Sequence, residues 1–389
     1  MNEIPGKSAF ERETAQLVRP DPINPKIRAM EVIDTDFHFS PTWEQTRAYL
    51  TEPFRSRLFS YPLTGAEYNP EPANRRPGIG QDALGSARNA ADVLRVMDEI
   101  GDDVVILNPG YNRPNAIFNE PVISAIASAY NTLLAEEVLP ASDRIKGSIL
   151  INQRDPQAGA AEIRRHGANP KFVAVYAEFG AVFEPLGSAK HDPIYDALRE
   201  FDLPLIIHGS GFWQTGSPFS VGTRTWTELL GNCWPATCQV YVSSMIMQAL
   251  FDKYPDQKIL LNEGGCWWLP DLAVRLDEYY RDHPGDIALV ERKLARNETY
   301  LNRMPSEYLY DNFRFSTQPM MVPRNRQHFA WMLEMCRAKE MFLYSSDWPH
   351  QTFDPANWVV ENEDVIPEPM QKDILSGNAR KLFKRLQRP

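Results

Sequence analysis

Short runs of apolar residues alternate along this chain with longer stretches whose apolar positions recur every three or four residues. The short runs are continuously apolar, which is typical of strands that are buried on both faces. Eight of them are predicted to be strands, at residues 30–34, 104–107, 147–151, 172–176, 205–208, 259–262, 313–316 and 341–345.

The stretches between these runs have helical periodicity. The predicted helices cover residues 42–50, 90–100, 123–138, 158–166, 192–200, 240–253, 271–280, 325–337 and 370–386. Eight strand–helix units favour a closed, distorted TIM (β/α)8 barrel with inserted loops. An open, doubly wound α/β sheet is the alternative, but no GxGxxG motif follows the first strand.

Proline-rich segments suggest how the chain is organised around this barrel. Residues 1–30 are predicted to be an irregular N-terminal extension, with Pro20, Pro22 and Pro25 as breakers. The barrel then takes residues 31–389. Two inserts, near residues 60–88 and 212–238, contain aromatic residues among Pro and Gly. They are expected to form a lid or an interface between subunits, or to pack on their own barrel.

Composition narrows the function classes. Of 389 residues, 51 are Asp or Glu and 41 are Lys or Arg, so the net charge of −10 argues against nucleic acid or an anionic membrane as a partner. No apolar run reaches the ~18 residues that span a membrane, and the N-terminus lacks an apolar signal core. The four cysteines form no CxxC pair, so a reducing cytoplasm is expected.

Polar side chains stand where the predicted strands end, and in such a barrel those ends form the active-site face. Asp36 and His38 follow the first strand and, two residues apart in an extended chain, point to one face. His208 ends the fifth strand, and a neutral imidazole there is a suitable metal ligand. Taken singly, these residues also suit a helix cap or a core histidine.

Two further strand ends carry the same kind of side chain. Glu263 directly follows the sixth strand, where an unpaired buried carboxylate would be costly. Asp347 and His350 follow the eighth, and Asp347 is suited to metal binding, to general-base catalysis or to capping the next helix. Because four strand ends carry metal-type side chains, the sequence predicts one divalent metal site.

Five segments make a family resemblance specific. IDTDFHF, PLIIHGSG, ILLNEGGCWWLPDLAVRLDEYY, RFSTQP and LYSSDWPHQTFD resemble the amidohydrolase superfamily, in the branch related to aminocarboxymuconate-semialdehyde decarboxylase that is called amidohydrolase family 2. The similarity runs over residues 31–384. It implies a distorted barrel that holds a divalent metal, zinc being the first expectation. Matching the family motifs, Asp36, His38, His208 and Asp347 would be ligands.

One motif departs from the decarboxylases of the family. They carry a catalytic histidine where this chain has Glu263, which resembles instead a subgroup with an EGG-x-W-x-P motif. That subgroup is similar to two-subunit oxygenases with two metal ions, one of which hydroxylates 2-aminoisobutyrate. Glu263 and His350 would complete a second site, with iron or manganese. However, Phe39 replaces a histidine and no strand-four lysine is present, so a single metal is favoured.

Roles and substrate contacts follow as hypotheses. The metal would activate a water or polarise a substrate carboxylate, Asp347 would transfer a proton, and Glu263 would orient the water or complete the metal shell. His208 would act with them as a metal-bound catalytic residue. Contacts to a small carboxylate-bearing substrate are predicted for Asn108, Tyr111, Arg113, Trp213 and Trp267. Arg113 would pair with the carboxylate in a bidentate manner, or is a surface arginine.

Three functional classes remain open at this point. The first is a metal-dependent hydrolase or non-oxidative lyase acting on a small acid. The second is a subunit of a heteromeric monooxygenase, either the oxygen-activating subunit or a partner with mononuclear zinc. The third is a non-catalytic paralogue that keeps a structural metal. A homo-oligomer, or a hetero-oligomer with a paralogous subunit, is expected.

Overall fold

The structure is a computed structural model. It describes residues 23–60, 87–110, 119–179, 184–209, 225–350 and 353–387, which are called the described part of the chain below.

Eight parallel strands form one sheet in which each strand pairs with the next one along the chain. This strand order confirms the barrel prediction. The apolar runs are buried on both faces, as expected for strands of such a barrel. The strands are β1 Ile33–Phe39, β2 Val104–Pro109, β3 Ile145–Leu150, β4 Phe172–Phe179, β5 Leu205–Gly209, β6 Ile259–Asn262, β7 Phe313–Ser316 and β8 Phe342–Leu343.

The segment after β8 closes the barrel against β1. The Thr35 N–H donates to Tyr344 O at 3.1 Å, and the His38 N–H donates to Trp348 O at 2.9 Å. Phe37 and Trp348 form a parallel bridge at the same place. The closure is therefore made by an irregular segment rather than by a full strand, which is the distortion of this barrel.

Helices pack outside the strands. They are α1 Trp43–Ala48, α2 Phe54–Arg57, α3 Ala90–Ile100, α4 Glu120–Leu133, α5 Pro156–His166, α6 Asp192–Phe201, α7 Trp226–Glu228, α8 Trp234–Met247, α9 Leu250–Lys253, α10 Leu269–Asp282, α11 Glu291–Arg296, α12 Pro305–Asn312, α13 Arg326–Met335, α14 Ala338–Met341, α15 Asn357–Glu361, α16 Glu368–Lys372 and α17 Asn378–Leu382.

Helix α3 shows why the periodic stretches fold as they do. Asn89 caps it by accepting from the Asp92 N–H, and Gly101 ends it in the left-handed region at φ 91°. Its apolar positions lie on one face and are buried against the sheet. They are Val93, Val96, Met97 and Ile100.

Two strand boundaries differ from the prediction in a way that bears on function. The first strand was predicted to end at Asp34, but β1 continues to Phe39, and all of its residues are buried. Asp36 and His38 therefore lie within a strand rather than in a loop. The eighth strand was predicted over residues 341–345, but β8 is only Phe342–Leu343, because the next residues turn toward β1.

Two predicted helices are interrupted. The stretch 240–253 divides into α8 and α9 because Ala249 takes a left-handed conformation at φ 55°. The closing stretch 370–386 divides into α16, a π-helical turn at Asp373–Gly377, α17 and a 3-10 turn at Lys384–Leu386. Both breaks follow backbone hydrogen bonds that side-chain periodicity does not encode.

The predicted extension and inserts lie partly outside the described part of the chain. Within it, Ile27 forms a 3-10 turn and is buried in the core, so the end of the extension packs on the barrel. The described part of the second predicted insert, residues 225–238, is largely helical and contains α7, a π-helical turn at Leu229–Cys233 and the start of α8. The division into extension and barrel stays a prediction.

One helical stretch, Glu120–Ala141, is long and apolar enough to cross a membrane by length and composition alone. It connects β2 to β3, and 56% of its most apolar window is buried, as in the core helix of a barrel. The four cysteines are free thiols and are all buried.

Candidate metal centre

Four predicted ligands meet at the carboxyl ends of the strands. Asp36, His38, His208 and Asp347 each direct one ligand atom into a group whose atoms lie within 4.8 Å of one another. All four side chains are buried. Asp36 Oδ2 lies 3.1 Å from His208 Nε2, and His38 Nε2 lies 3.1 Å from Asp347 Oδ1. The barrel thus brings together β1, β5 and the segment after β8.

Backbone carbonyls orient both histidines of the group. His38 Nδ1 lies 2.9 Å from Pro109 O, and His208 Nδ1 lies 2.6 Å from Gly209 O. Because a carbonyl oxygen only accepts, Nδ1 carries the hydrogen in each ring, and Nε2 is the nitrogen that faces the group and would bind a cation. A metal-binding imidazole needs this tautomer, and such a hydrogen bond on the distal nitrogen is usual.

Electrostatics keep Asp36 charged in spite of its burial. Burial works against ionisation, but the facing rings of His208 and His38 hold the pKa of the Asp36 carboxyl below its ordinary value. Its Oδ2 has no hydrogen-bond partner within the described part of the chain. A buried carboxylate oxygen beside an imidazole nitrogen, with both facing one point, fits a divalent cation.

A second group overlaps the first on its more open side. It consists of His38, Glu263, Asp347 and His350. His350 Nδ1 lies 2.5 Å from Asp347 Oδ1 and 3.6 Å from Glu263 Oε1. Burial opposes a charge on His350, but the two carboxylates raise the pKa of its imidazole to about 10. His350 is therefore protonated at neutral pH, and its side chain is 17% exposed.

Unusual backbone conformations aim the two carboxylates of that group. Glu263 and Asp347 have φ of 56° and 57°, in the left-handed region that non-glycine residues rarely adopt. The Glu263 N–H donates to Ser316 Oγ, and Gln318 Nε2 donates to Asp347 Oδ2 at 2.9 Å. Strained conformations persist where surrounding contacts hold them, and they cluster at functional sites.

The donor set decides which cations the centre suits. Two imidazole nitrogens with carboxylate oxygens are suitable ligands for zinc, iron or manganese. The residues present therefore fit the divalent metal that was expected from the sequence.

Two of the predicted substrate-binding residues, Asn108 and Trp267, lie in the described part of the chain. The Asn108 amide donates to Asp36 Oδ1 at 2.7 Å and to Thr35 O at 3.1 Å. The Trp267 ring packs edge-on against Phe329 and Phe342, in the layer between β8 and α13, and its indole N–H donates to a backbone carbonyl.

These contacts use polar groups that were assigned to a substrate, and the substrate roles of Asn108 and Trp267 stay predictions. The other three predicted contacts, Tyr111, Arg113 and Trp213, lie outside the described part of the chain.

Two residues that support the site were given no role from the sequence. Gln318 lies within the RFSTQP segment and donates to Asp347, whereas Ser148 on β3 lies in no family segment and donates to Asn108. Trp234 packs on the end of β5 so closely that a Cβ at Gly209 would lie 1.7 Å from its Nε1. The glycine after His208 was the one available signal, since glycine permits close approach.

Comparisons with known proteins find relatives of this chain. A family model described as Amidohydrolase matches residues 33–385. Over 302 residues, the chain is 28% identical to a gamma-resorcylate decarboxylase from Polaromonas, covering 75% of this chain and 86% of that protein.

Two solved structures share the fold. A 5-carboxyvanillate decarboxylase from Novosphingobium aromaticivorans, solved with manganese and a nitrobenzoic acid, has a TM-score of 0.68 at 20% identity. It covers 94% of this chain and 100% of its own. A dihydroxybenzoic acid decarboxylase from Polaromonas, solved with manganese and 2-nitroresorcinol, has a TM-score of 0.63 at 22% identity. It covers 92% of this chain and 98% of its own.

Proposed function

Since this chain belongs to the amidohydrolase family, we propose that it is a metal-dependent decarboxylase that removes CO2 from small aromatic carboxylates without oxidation. The relatives named above support this choice within the broader class of hydrolase or lyase, because each of the three is a decarboxylase of an aromatic acid.

The observation that carries the proposal is the buried group of Asp36, His38, His208 and Asp347. We propose that these residues hold the cation, which when bound supplies a positive charge that binds substrate oxygens and offsets their negative charge. Zinc was the first expectation from the sequence. The two related structures contain manganese, so manganese is the metal proposed here.

Decarboxylation breaks the bond between the ring carbon and the carboxylate carbon, releases CO2 and places a proton on the ring carbon. We assign delivery of that proton to Asp347, which is buried in the centre. His350 touches Asp347 at 2.5 Å and is partly exposed, so it returns a proton from solvent after each turnover. Glu263, 3.6 Å from His350, keeps that imidazole charged and in place.

The substrate carboxylate needs a partner besides the cation. Tyr111, Arg113 and Trp213 remain the predicted contacts, and Arg113 is suited to bidentate pairing with a carboxylate. In the sequence, Tyr111 and Arg113 follow β2 and Trp213 follows β5.

The other functional classes receive less support. None of the three relatives named above is a monooxygenase. The second, overlapping group through Glu263 and His350 is therefore assigned to proton transfer rather than to a second metal. The oligomeric state and any paralogous partner subunit stay predictions of the sequence.

The proposal is tested by loading the purified chain with Mn²⁺ and measuring CO2 release from 2,6-dihydroxybenzoate and from 5-carboxyvanillate. We expect turnover with at least one of them, abolished by a chelator and restored by Mn²⁺. The Asp347→Asn variant should lose activity by about 100-fold or more, because it removes the proposed acid. Bound Mn²⁺ without CO2 release from either acid would contradict the decarboxylase assignment.

Asp354→Asn is the matched control on the same loop. Asp354 Oδ2 accepts from the Met320 N–H at 3.0 Å, and an amide oxygen can accept in the same way. This variant should turn over like the unchanged protein, whereas an equal loss in both variants would point to disruption of the loop instead of loss of an acid.

A further inference from the structure

The pairing of β1 with β2 is irregular next to a proposed metal ligand. The register of the two strands shifts between Asp34 and Phe37, so the intervening residues, Thr35 and Asp36, bulge out of the regular ladder. A bulge re-aims side chains, and this one lies where Asp36 must point into the barrel. Something other than the ladder has to hold it there.

Asn108, on the neighbouring strand β2, meets both bulged residues. Its Nδ2 donates to Asp36 Oδ1 at 2.7 Å and to Thr35 O at 3.1 Å. Both partners are acceptors, so the amide has only one favourable orientation, with its NH2 group toward β1. All three residues are buried, which makes these hydrogen bonds costly to lose.

Ser148 on β3 supports the same orientation. Its hydroxyl donates to Asn108 Oδ1 at 2.7 Å and lies 3.0 Å from Leu107 O. A hydrogen-bonded series therefore runs from β3 through β2 to β1. We call Ser148, Asn108 and Asp36 the strand relay. In this relay the Asn108 amide binds Asp36 Oδ1, while Asp36 Oδ2 lies 3.1 Å from His208 Nε2.

A second amide reaches the bulge from across the barrel. Asn262, at the end of β6, donates from Nδ2 to Thr35 O at 3.3 Å. The Thr35 carbonyl is thus held by two buried carboxamides from opposite sides of the barrel. The longer distance makes Asn262 the weaker of the two contacts.

We propose that Asn108 is a positioning residue for the cation, and that it binds Oδ1 of Asp36 so that Oδ2 is presented to the ion together with His208. Ser148 keeps the Asn108 amide in the donating orientation. This inference rests on the metal centre of the proposed function but not on the reaction assigned to it. Outer partners of metal ligands commonly set metal affinity by 10- to 100-fold.

The test compares two buried asparagines. Asn108→Leu removes the amide at nearly constant volume, and we expect its Mn²⁺ affinity to fall by about 10- to 100-fold. Asn312→Leu is the control. Asn312 is equally buried, and its Nδ2 also donates to two backbone carbonyls, at 2.8 and 2.9 Å, but it lies at the amino-terminal end of β7. Its loss should leave Mn²⁺ affinity unchanged.

The measurements are Mn²⁺ titration calorimetry, urea unfolding and the electron paramagnetic resonance spectrum of bound Mn²⁺. Ser148→Ala should weaken binding by up to about 10-fold, the usual upper contribution of a hydrogen bond, and should alter the Mn²⁺ spectrum. An Asn108→Leu protein that binds Mn²⁺ as tightly as the unchanged chain would overturn the proposal. So would equal losses of affinity in the Asn108 and Asn312 variants, which would indicate a purely structural role.

The two proposals fail in different ways. Tight Mn²⁺ binding without decarboxylation removes the proposed reaction and leaves the strand relay standing. A chain that binds no divalent cation overturns both.

Discussion

Asp36 Oδ2 and His208 Nε2 lie 3.1 Å apart at the ends of β1 and β5, strands on opposite sides of the barrel. Both side chains are buried, and their facing atoms lie where one cation could bind to both. Because no chain neighbour brings them together, their approach depends on closure of the barrel by the segment after β8. The centre is therefore a product of the whole fold.

Asp36→Asn should weaken Mn²⁺ binding by at least about 100-fold, because it removes a negative charge from the metal group. The loss should exceed that expected for Asn108→Leu, since Asn108 contacts a ligand and not the metal. Titration calorimetry of the purified variant measures this. The fold should persist, since Asn retains an oxygen and the size of the side chain. Unchanged affinity would show that the ion binds elsewhere.

Gly209→Ala tests the close packing at the end of β5. A Cβ there would lie 1.7 Å from Trp234 Nε1, so either the indole or the strand end next to His208 must move. We expect a loss of about 1–3 kcal/mol in the free energy of unfolding, as for overpacked cores.

The control for Gly209→Ala is Gly285→Ala. A Cβ on Gly285 meets nothing within 4 Å, and its φ of −83° suits any residue. Urea unfolding should show a change of about 1 kcal/mol or less for Gly285→Ala, in the stabilising direction. Equal stability of the two variants would argue against this packing.

Lys293→Met tests a buried ion pair outside the metal centre. Lys293 Nζ lies 2.5 Å from Asp252 and 2.7 Å from Glu298, and its side chain is fully buried. Removing the ammonium leaves the buried Asp252 carboxylate without its cation, so we expect a loss of about 3–5 kcal/mol of unfolding free energy.

An exposed pair provides the comparison for Lys293. Lys372 pairs with Glu368 at 2.6 Å, but both side chains are more than half exposed. Urea unfolding of both variants measures the difference, and Lys372→Met should lower the free energy of unfolding by less than about 1 kcal/mol. Similar losses for the two substitutions would mean that burial does not strengthen the dependence on Lys293.

His191 should make stability depend on pH. The ring is buried, neither ring nitrogen has a hydrogen-bond partner in the described part of the chain, and burial lowers the pKa of the imidazole to about 4. Because the folded pKa lies below the unfolded value, the unfolded chain binds more protons between about pH 6.5 and pH 4. The contribution of His191 is complete above pH 6.5 and is lost as the pH falls toward 4.

His191→Phe removes this titration, so the unfolding free energy of the variant should fall less between pH 7 and pH 5 than that of the unchanged chain. Urea unfolding at the two pH values measures the difference. Parallel losses in the two proteins would show that His191 does not contribute.

The sequence was most informative where local pattern and chemistry coincide. Continuous apolar runs predicted the eight strands in order, since strands buried on both faces need such runs. Helix α3 was predicted with its observed bounds from its apolar periodicity, and in the structure Asn89 and Gly101 mark its ends. The four ligands were named from polar residues at strand ends, and the structure brings them together.

Prediction was weaker where a contact between distant segments decides the outcome. The last predicted helix breaks at a π-helical turn over Asp373–Gly377, although its side-chain pattern is continuous. Asn108 was assigned to a substrate, because an amide after a strand end does not reveal its partner. Trp267 was assigned in the same way, yet its ring packs on Phe329 and Phe342.

The sequence by itself determined the kind of fold and the elements of a metal site, because hydrophobic period and residue chemistry are local properties. Only the tertiary structure decided the bulge at Asp36, the amide that Asn108 turns toward it, and the left-handed backbone that aims Asp347. These features depend on strand register and barrel closure. Hydrogen bonds between residues far apart in the chain set both, and no local pattern specifies such bonds.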